Sequence, residues 1–199
     1  MLFVTATARA EPGTILVMGD SLSAGYGMRA DQAWPSLLAK RLETEKLPWT
    51  IHNASISGET TAGGRARFES ALGRYKPRVA VIVLGANDGL RGLPVASMKE
   101  NLNAMAGAAR QAGARVLLVG MRLPPNLGPV YAGEFQKAFA EVAALQQAAL
   151  VPFLLEGFAD KREYFLADAI HPTPAAQALI VETIWPALRP LLTPARSPR

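Results

Sequence analysis

Short apolar runs alternate with longer amphipathic stretches along the chain. The runs are rich in β-branched residues and have the length of strands, whereas the stretches repeat apolar residues every three or four positions, as helices with one buried face do. Residues 79–84 are apolar at every position, which is typical of a central parallel strand covered on both faces. The pattern predicts strands at residues 14–18, 49–54, 79–84, 115–120 and 150–155 and helices at residues 33–47, 60–75, 95–111, 131–149 and 174–192, the last bent or broken at Pro186.

This alternation predicts the fold class. Strands that alternate with helices over one length of chain form a parallel sheet with helices on both faces. We therefore expect one α/β domain over residues 14–192, followed by a frayed tail at residues 193–199. In such a sheet, ligands bind beyond the carboxyl ends of the strands, so functional residues are expected in the segments that follow the strands.

Composition excludes several classes of protein. The chain has 199 residues, of which 50% are hydrophobic and 19% charged, which fits one globular domain with a sizeable core. The absence of cysteine excludes disulfide scaffolds, thiolate catalysis and zinc sites with Cys ligands. The longest apolar run is far shorter than a membrane span, so no stable membrane insertion is expected.

The net charge of +5 raises the question of an anionic partner, because basic proteins bind nucleic acids and acidic membrane surfaces. Here the basic residues are scattered along the chain, and aromatic residues are not interleaved with them. We therefore predict a solvated basic surface and no nucleic-acid partner.

The first residues have two interpretations. Ala8-Arg9-Ala10 follows a short apolar stretch and has the small-residue pattern of a signal-peptide cleavage site. Residues 1–13 are then the remnant of a secretory signal, and the protein is periplasmic or secreted. Alternatively, they form a flexible arm, which does not exclude the cytoplasm.

Polar residues follow several of the predicted strands. Ser21 follows the first strand, Gly58 the second and Asn87 the third, and the pair Asp168 and His171 comes well after the fifth. Together these groups are the parts of a serine hydrolase, namely a nucleophile, oxyanion donors, a base and an orienting acid.

Taken singly, these residues also have structural interpretations. Ser21 or Ser23 would cap a following helix, and Asn87 and Gly58 would be turn residues. No G-x-S-x-G sequence occurs, which argues against an ordinary α/β-hydrolase. The segment from Gly25 to Ala30 fits the dinucleotide fingerprint G-x-G-x-x-A, but it begins too far after the strand to predict nucleotide binding.

The chain has only two candidate bases, His52 and His171. Asp168 precedes His171 by three residues on a Pro-flanked loop, so its carboxylate can hold one ring nitrogen while the other faces a serine. His52 lies within a predicted strand, where a packed or surface histidine is more common. No third ligand lies at a recognisable spacing, so no metal site is predicted.

Four blocks of sequence stand out, namely Gly19-Asp20-Ser21-Leu22, Gly58, Gly85-x-Asn87-Asp88 and Asp168-x-x-His171. These blocks resemble the SGNH, or GDSL, hydrolase superfamily. The longer strings around them are similar to its bacterial periplasmic branch of multifunctional acyl thioesterases, lysophospholipases and arylesterases. The resemblance extends from about residue 15 to residue 192, nearly the whole domain.

The resemblance implies a flavodoxin-like three-layer α/β/α sandwich with five parallel strands. It also implies hydrolysis of small-molecule acyl esters and thioesters without a metal or organic cofactor. Ser21 would be the nucleophile, His171 the base and Asp168 its orienting acid, and the oxyanion hole would consist of Ser21, Gly58 and Asn87. Residues 88–94 resemble a mobile loop that contacts the acyl chain, and the expected substrate-binding residues are Leu22, Asp88, Gly89, Leu90, Leu93 and Leu123.

Two other functions stay open at this point. A carbohydrate O-deacetylase on the same scaffold would have a polar, open cleft. A catalytically silent ligand-binding module would keep the fold alone, and the intact set of serine, glycine, asparagine and histidine argues against it.

Overall fold

Five parallel strands form one sheet in the computed structural model, which describes residues 12–193. The strands are β1 (Gly13–Gly19), β2 (Trp49–Asn53), β3 (Val79–Val83), β4 (Arg115–Val119) and β5 (Ala149–Val151). Their order across the sheet is β2-β1-β3-β4-β5. All five residues of β3 are buried, as its continuous apolar run predicts.

Helices cover both faces of the sheet. They are α1 (Ser21–Ala24), α2 (Trp34–Thr44), α3 (Thr61–Tyr75), α4 (Ala86–Leu90), α5 (Val95–Gln111), α6 (Pro129–Leu145) and α7 (Gln177–Leu188). On one face α2 packs against α7, and on the other α5 packs against both α3 and α6. The predicted α/β sandwich with five parallel strands is confirmed, and its strand order is that of flavodoxin-like folds.

Two helices end earlier than predicted. α2 ends at Thr44 and α6 at Leu145, rather than at residues 47 and 149. In both cases the chain leaves the helix through a residue with positive φ, Lys46 (55°) or Gln147 (50°), a conformation that often ends α-helices. α6 also begins earlier, at Pro129, because proline is favoured in the first turn of a helix.

The C-terminal part of the chain has shorter and more numerous elements than predicted. β5 ends at Val151 because the next residue, Pro152, has no N–H to continue the ladder. Residues 174–192 form a short 3₁₀ helix, α7 and a second 3₁₀ helix instead of one long helix. Pro186 lies inside α7 without breaking it, and the helix ends two residues later, at Leu188.

The first strand begins one residue earlier than predicted, because Gly13 belongs to β1 and pairs with Trp49 of β2. Most of the predicted arm or leader remnant falls on residues 1–11, and most of the predicted tail on residues 194–199. Both of these stretches lie outside the described residues.

The apolar pattern predicts neither α1 nor α4. These helices have four and five residues, which is too short for a helical period to be recognised in a sequence. Both begin within three residues of the end of a central strand. They therefore bring the residues that follow β1 and β3 to one edge of the sheet.

Candidate active site

Ser21 is the first residue of α1, directly beyond the carboxyl end of β1. The preceding residue, Asp20, caps this helix, since its Oδ1 atom accepts the backbone N–H of Leu22 at 3.0 Å. The structural interpretation in which Ser21 or Ser23 caps the helix is therefore wrong. Because Asp20 supplies the cap, the hydroxyl of Ser21 is left for another partner.

That partner is His171. Its Nε2 atom lies 2.9 Å from the Oγ atom of Ser21, and its Nδ1 atom lies 2.7 Å from the Oδ2 atom of Asp168. Three residues from opposite ends of the chain thus form a continuous hydrogen-bonded array. This is the arrangement in which an imidazole can take a proton from a serine while a carboxylate fixes its tautomer.

The local fold of the loop orients Asp168. Its Oδ1 atom accepts the backbone N–H groups of Ile170 and His171, at 2.9 and 3.0 Å. An antiparallel bridge between Phe165 and Pro172 closes the loop at its base. The hydrogen bonds from His171 and Ile170 lower the pKa of Asp168 to about 2, so this carboxyl is ionised throughout the neutral range.

Asn87 and Gly58 lie at the same edge of the sheet. Asn87 is in the first turn of α4, and its Nδ2 atom donates to the backbone oxygen of Glu59 at 3.0 Å and to Oδ2 of Asp20 at 3.3 Å. Gly58 adopts a φ of 80°, a conformation that favours glycine. The structure thus places the Asn87 amide next to the residue that precedes Ser21.

Asp20 is a buried carboxyl group beside this array. It is 1% exposed, and burial raises its pKa to about 6, although the hydrogen bond from Leu22, the charge of His171 and the contact with Asn87 act in the opposite direction. An ionised Asp20 is therefore costly in the folded protein near neutral pH.

An apolar cavity of about 480 Å³ opens beside the site. Leu90 and Leu123, two of the predicted substrate-binding residues, line it together with Ala86 and Ile170. Ala86 and Ile170 adjoin Asn87 and His171 in the sequence, so the cavity begins next to the array. A larger cavity of about 640 Å³ lies beside α7, and none of the predicted site residues lines it.

The other predicted substrate-binding residues lie elsewhere. Leu22 is 6% exposed and belongs to the core. Asp88 is 3% exposed, and its two oxygens accept the backbone N–H and the hydroxyl of Thr61 at 2.8 and 2.5 Å. Gly89 is also buried, in α4. These three residues expose little surface to a substrate, so we now expect Leu22 and Gly89 to pack in the interior and Asp88 to hold Thr61 by hydrogen bonds.

Leu93 is exposed but is not among the residues that line the 480 Å³ cavity. The hydroxyl of Tyr131 donates to its backbone oxygen at 2.7 Å, so the contact that holds this part of the loop is made by the backbone. The cavity therefore gives no support to the predicted contact of Leu93 with an acyl chain, and we expect this side chain to stay clear of a chain held there.

Two contacts of the site were not predicted from the sequence. The ring of Tyr26 lies against that of His171, with 4.2 Å between the ring centroids. Arg91 donates from Nη2 to the backbone oxygen of Gly58 at 2.8 Å. Tyr26 does stand in a segment that follows a strand, flanked by two glycines, but no periodic signal marks either residue as part of a site.

His52, the rival base, packs against another part of the fold. It belongs to the edge strand β2 and stacks on Tyr75, with 4.5 Å between the ring centroids. Within residues 12–193, no group of three or more His, Cys, Asp or Glu side chains could hold a metal ion. No helix in that range is long and apolar enough to span a bilayer.

Comparison with known families identifies the family to which this chain belongs. The model described as the GDSL-like Lipase/Acylhydrolase family matches residues 17–179, and this range includes Ser21, Gly58, Asn87, Asp168 and His171. The chain belongs to this family. Members of the GDSL-like lipase/acylhydrolase family are ester hydrolases, and the resemblance inferred from the four sequence blocks is confirmed.

Curated relatives of this GDSL-like protein are hydrolases by name. The Esterase TesA of Pseudomonas aeruginosa is 48% identical over 192 residues, which cover 96% of each chain. The Thioesterase 1/protease 1/lysophospholipase L1 of Escherichia coli is 36% identical over 193 residues, 96% of this chain and 91% of the relative. The chain is an enzyme that hydrolyses ester bonds.

Solved structures agree with this assignment. A crystal structure of TesA superposes with a TM-score of 0.88 at 49% identity and covers 89% of this chain and 99% of its own. The psychrotrophic esterase EstA of Pseudoalteromonas sp., inhibited by monoethylphosphonate, gives a TM-score of 0.87 at 37% identity, with 90% and 98% covered. The fold is therefore that of known GDSL-like esterases.

Proposed function

We propose that this enzyme hydrolyses carboxylic esters and thioesters of acyl substrates through a covalent acyl-enzyme formed on Ser21. One observation carries the proposal, namely the array in which Asp168 lies 2.7 Å from His171 and His171 lies 2.9 Å from Ser21. A nucleophile, a base and an orienting acid in this geometry are the template of serine hydrolases on unrelated folds.

In the proposed reaction, Nε2 of His171 takes the proton of the Ser21 hydroxyl as Oγ attacks the acyl carbonyl. Asp168 accepts the hydrogen bond of Nδ1 and stabilises the imidazolium that forms. The imidazolium then protonates the leaving alcohol or thiol. A water molecule repeats the cycle on the acyl-enzyme and releases the carboxylic acid.

The proposed oxyanion donors are the backbone N–H groups of Ser21 and Gly58 and the side-chain amide of Asn87. Without substrate, the Nδ2 atom of Asn87 contacts Glu59 and Asp20. The contact with Asp20 is the longer of the two, at 3.3 Å, and the weaker for that reason. We propose that the oxyanion replaces it, because an anion accepts the amide hydrogen where charge develops.

The substrate class follows from the apolar cavity beside the array. Its lining by Leu90, Leu123 and Ile170 favours an acyl chain over a polar group. The names of relatives point to the same chemistry, since they include an arylesterase of Vibrio mimicus and a thioesterase and lysophospholipase of Escherichia coli. A carbohydrate O-deacetylase, which would need a polar cleft, fits this lining less well.

The proposal is tested with p-nitrophenyl esters from acetate to palmitate, an acyl-CoA and a lysophospholipid. We expect Ser21→Ala to lose ester hydrolysis by at least about 10³-fold while it keeps its melting temperature. Ser97→Ala, at an exposed serine near the start of α5, is the matched control and should keep full activity. A fluorophosphonate should label Ser21 in the wild type. Undiminished turnover by Ser21→Ala, or stoichiometric labelling of another residue, contradicts the proposal.

A periplasmic or secreted location is a separate part of the proposal. It is supported by the pattern Ala8-Arg9-Ala10, which lies outside the described residues. Fractionation of expressing cells, followed by N-terminal sequencing of the mature chain, tests it. A protein found only in the cytoplasm with an intact N-terminus would contradict this location without affecting the proposed chemistry.

A further inference from the structure

Exposed apolar side chains are concentrated around the mouth of the site. Seven large apolar side chains are exposed among the described residues, and five of them lie in segments that follow β1, β2 and β3 or in the loop of His171. We call these five residues the apolar rim. They are Tyr26, Ile56, Leu90, Leu93 and Ile170, and their exposed fractions range from 37% to 51%.

Contacts place four of the five rim residues near the array. Tyr26 lies against the ring of His171, while Leu90 and Ile170 line the 480 Å³ cavity. Ile56 is held at the edge of the sheet because its backbone N–H donates to the oxygen of Gly19, the last residue of β1, at 3.0 Å. Tyr26 therefore lies at the array, Leu90 and Ile170 lie at the cavity, and Ile56 lies beyond the carboxyl end of β1.

The other two exposed apolar residues do not belong to the rim, because both lie in α6. Val130 and Leu145 lie near opposite ends of α6, a helix of 17 residues and thus roughly 25 Å long. α6 begins in the connection from the carboxyl end of β4, so Leu145 lies at the end away from the site. Leu145 is accordingly an exposed apolar residue remote from the rim.

A cation stands beside the apolar rim. The guanidinium of Arg91 donates to the backbone oxygen of Gly58, two residues from Ile56. No carboxylate within residues 12–193 lies within ion-pair distance of Arg91. The whole chain also carries a net charge of +5. Exposed apolar side chains can enter a lipid interface, and a nearby arginine on a protein of positive net charge adds attraction to anionic headgroups. The ionised Asp168, two residues from Ile170, opposes part of this attraction.

We propose that the apolar rim docks this enzyme reversibly on the surface of a bilayer that contains anionic phospholipids. Docking would bring the entrance of the cavity to the lipid, so that an acyl chain enters between Leu90 and Ile170 without crossing water. This binding does not depend on the proposed hydrolytic chemistry. It is peripheral, since it uses side chains and buries no helix in the bilayer.

Vesicle binding tests the docking without catalysis. The Ser21→Ala protein is sedimented with vesicles of phosphatidylcholine alone and with vesicles that contain phosphatidylglycerol as well. We expect binding to the mixed vesicles to exceed binding to phosphatidylcholine by at least about tenfold and to weaken as salt is raised. Equal sedimentation with and without either kind of vesicle overturns the proposal.

Two matched variants locate the binding surface. Ile56→Asp and Leu145→Asp each replace an exposed apolar residue and each lower the net charge by one, so they differ in position alone. In the Ser21→Ala background, we expect Ile56→Asp to lower the vesicle partition coefficient by roughly tenfold and Leu145→Asp to change it by less than about twofold. Equal losses in both variants would show that only net charge matters, and the rim would be rejected.

Two further measurements distinguish membrane docking from dimerisation and from a failure of the hydrolytic chemistry. If the protein sediments as a dimer that Ile56→Asp dissociates, and neither vesicle binds it, then the rim is an interface between two copies of the chain and the proposal is overturned. With Ser21 intact, Leu145→Asp should hydrolyse p-nitrophenyl acetate at the wild-type rate. Vesicle binding by Ser21→Ala combined with no hydrolysis by the wild type would contradict the proposed function and leave the docking supported.

Discussion

The Nδ2 atom of Asn87 lies 3.3 Å from the Oδ2 atom of Asp20, the residue directly before Ser21. This contact holds the side-chain amide at the nucleophile before any substrate is bound. An oxyanion exists only after attack, so the amide should act mainly on the transition state. We expect Asn87→Ala to lower kcat and kcat/KM together, by about 10²–10³-fold. Steady-state kinetics on a short p-nitrophenyl ester measure this, and a rise in KM with unchanged kcat would assign Asn87 to substrate binding instead.

Burial of Asp20 predicts a pH dependence of stability. Its pKa is about 6 in the folded protein, whereas an ordinary exposed aspartate has a pKa of 3.8. Between about pH 4 and pH 6, Asp20 is therefore protonated in the folded state and ionised in the unfolded state. The contribution of Asp20 to the free energy of unfolding is fully present below about pH 4 and is lost as the pH rises through 6.

Asp20→Asn removes this titration while Oδ1 can still accept from Leu22. We expect the free energy of unfolding of the wild type, relative to that of Asp20→Asn, to fall by about 2–3 kcal/mol between pH 4 and pH 7. Urea unfolding at four pH values measures it. Parallel curves for the two proteins would show that Asp20 does not titrate in this window.

The two histidines should differ sharply in their effect on activity. His52→Ala removes a ring stacked on Tyr75 at the edge of the sheet, and we expect at least half of wild-type activity. His171→Ala removes the base, and we expect a loss of at least about 10³-fold in kcat. Rates on p-nitrophenyl acetate decide the comparison, and the reverse order would place the reaction at another edge of the sheet.

Asp168→Asn tests whether the carboxylate fixes the tautomer of His171. The variant can still accept the backbone N–H groups of Ile170 and His171 through Oδ1, so the loop should keep its shape. Its NH₂ group would donate to Nδ1 and leave the hydrogen of the neutral ring on Nε2, which then cannot accept a proton from Ser21. We expect kcat to fall by about 10²–10⁴-fold with unchanged melting temperature. A small loss, comparable with that of His52→Ala, would contradict this role.

The sheet and most of the array could be predicted from the sequence because they depend on local signals. An apolar run identifies a strand buried on both faces, and the carboxyl ends of parallel strands meet at one edge. Ser21 and Asn87 follow two adjacent strands, β1 and β3, and this rule alone brings them together. The pairing of Asp168 with His171 needs only one turn of chain.

The role of Asp88 could not be predicted, because it depends on a tertiary contact. An acidic residue just beyond a strand has the pattern of a site residue, and only the folded chain brings Thr61, 27 residues earlier, against it. The contact of Tyr26 with His171 likewise joins two segments distant in sequence. No period or motif in either segment specifies such a contact.

Asp88 should therefore contribute to stability rather than to the chemical step. Asp88→Ala leaves the buried N–H of Thr61 without an acceptor and its hydroxyl without the carboxylate. We expect a loss of about 2–4 kcal/mol in the free energy of unfolding. Asp31→Ala, which breaks an exposed pair with Arg29, is the control and should leave the free energy of unfolding close to that of the wild type. Chemical denaturation measures both, and equal small losses would show that the Thr61 contact is weak.

Leu90, the last residue of α4, and Leu93, three residues later, should differ in their effect on chain-length preference. Leu90 lines the apolar cavity, so its truncation removes surface that only a long acyl chain contacts. Burial is worth about 0.8 kcal/mol per CH₂ group. We therefore expect Leu90→Ala to lower kcat/KM by about 5–30-fold for octanoate or longer esters and by less than about twofold for acetate. Leu93→Ala is the matched control, because Tyr131 holds the backbone oxygen of Leu93 and not its side chain. Its kcat/KM should change by less than about twofold at every length. An equal loss across the series in Leu90→Ala would mean that this leucine anchors the loop, and the cavity would then need another occupant than the acyl chain.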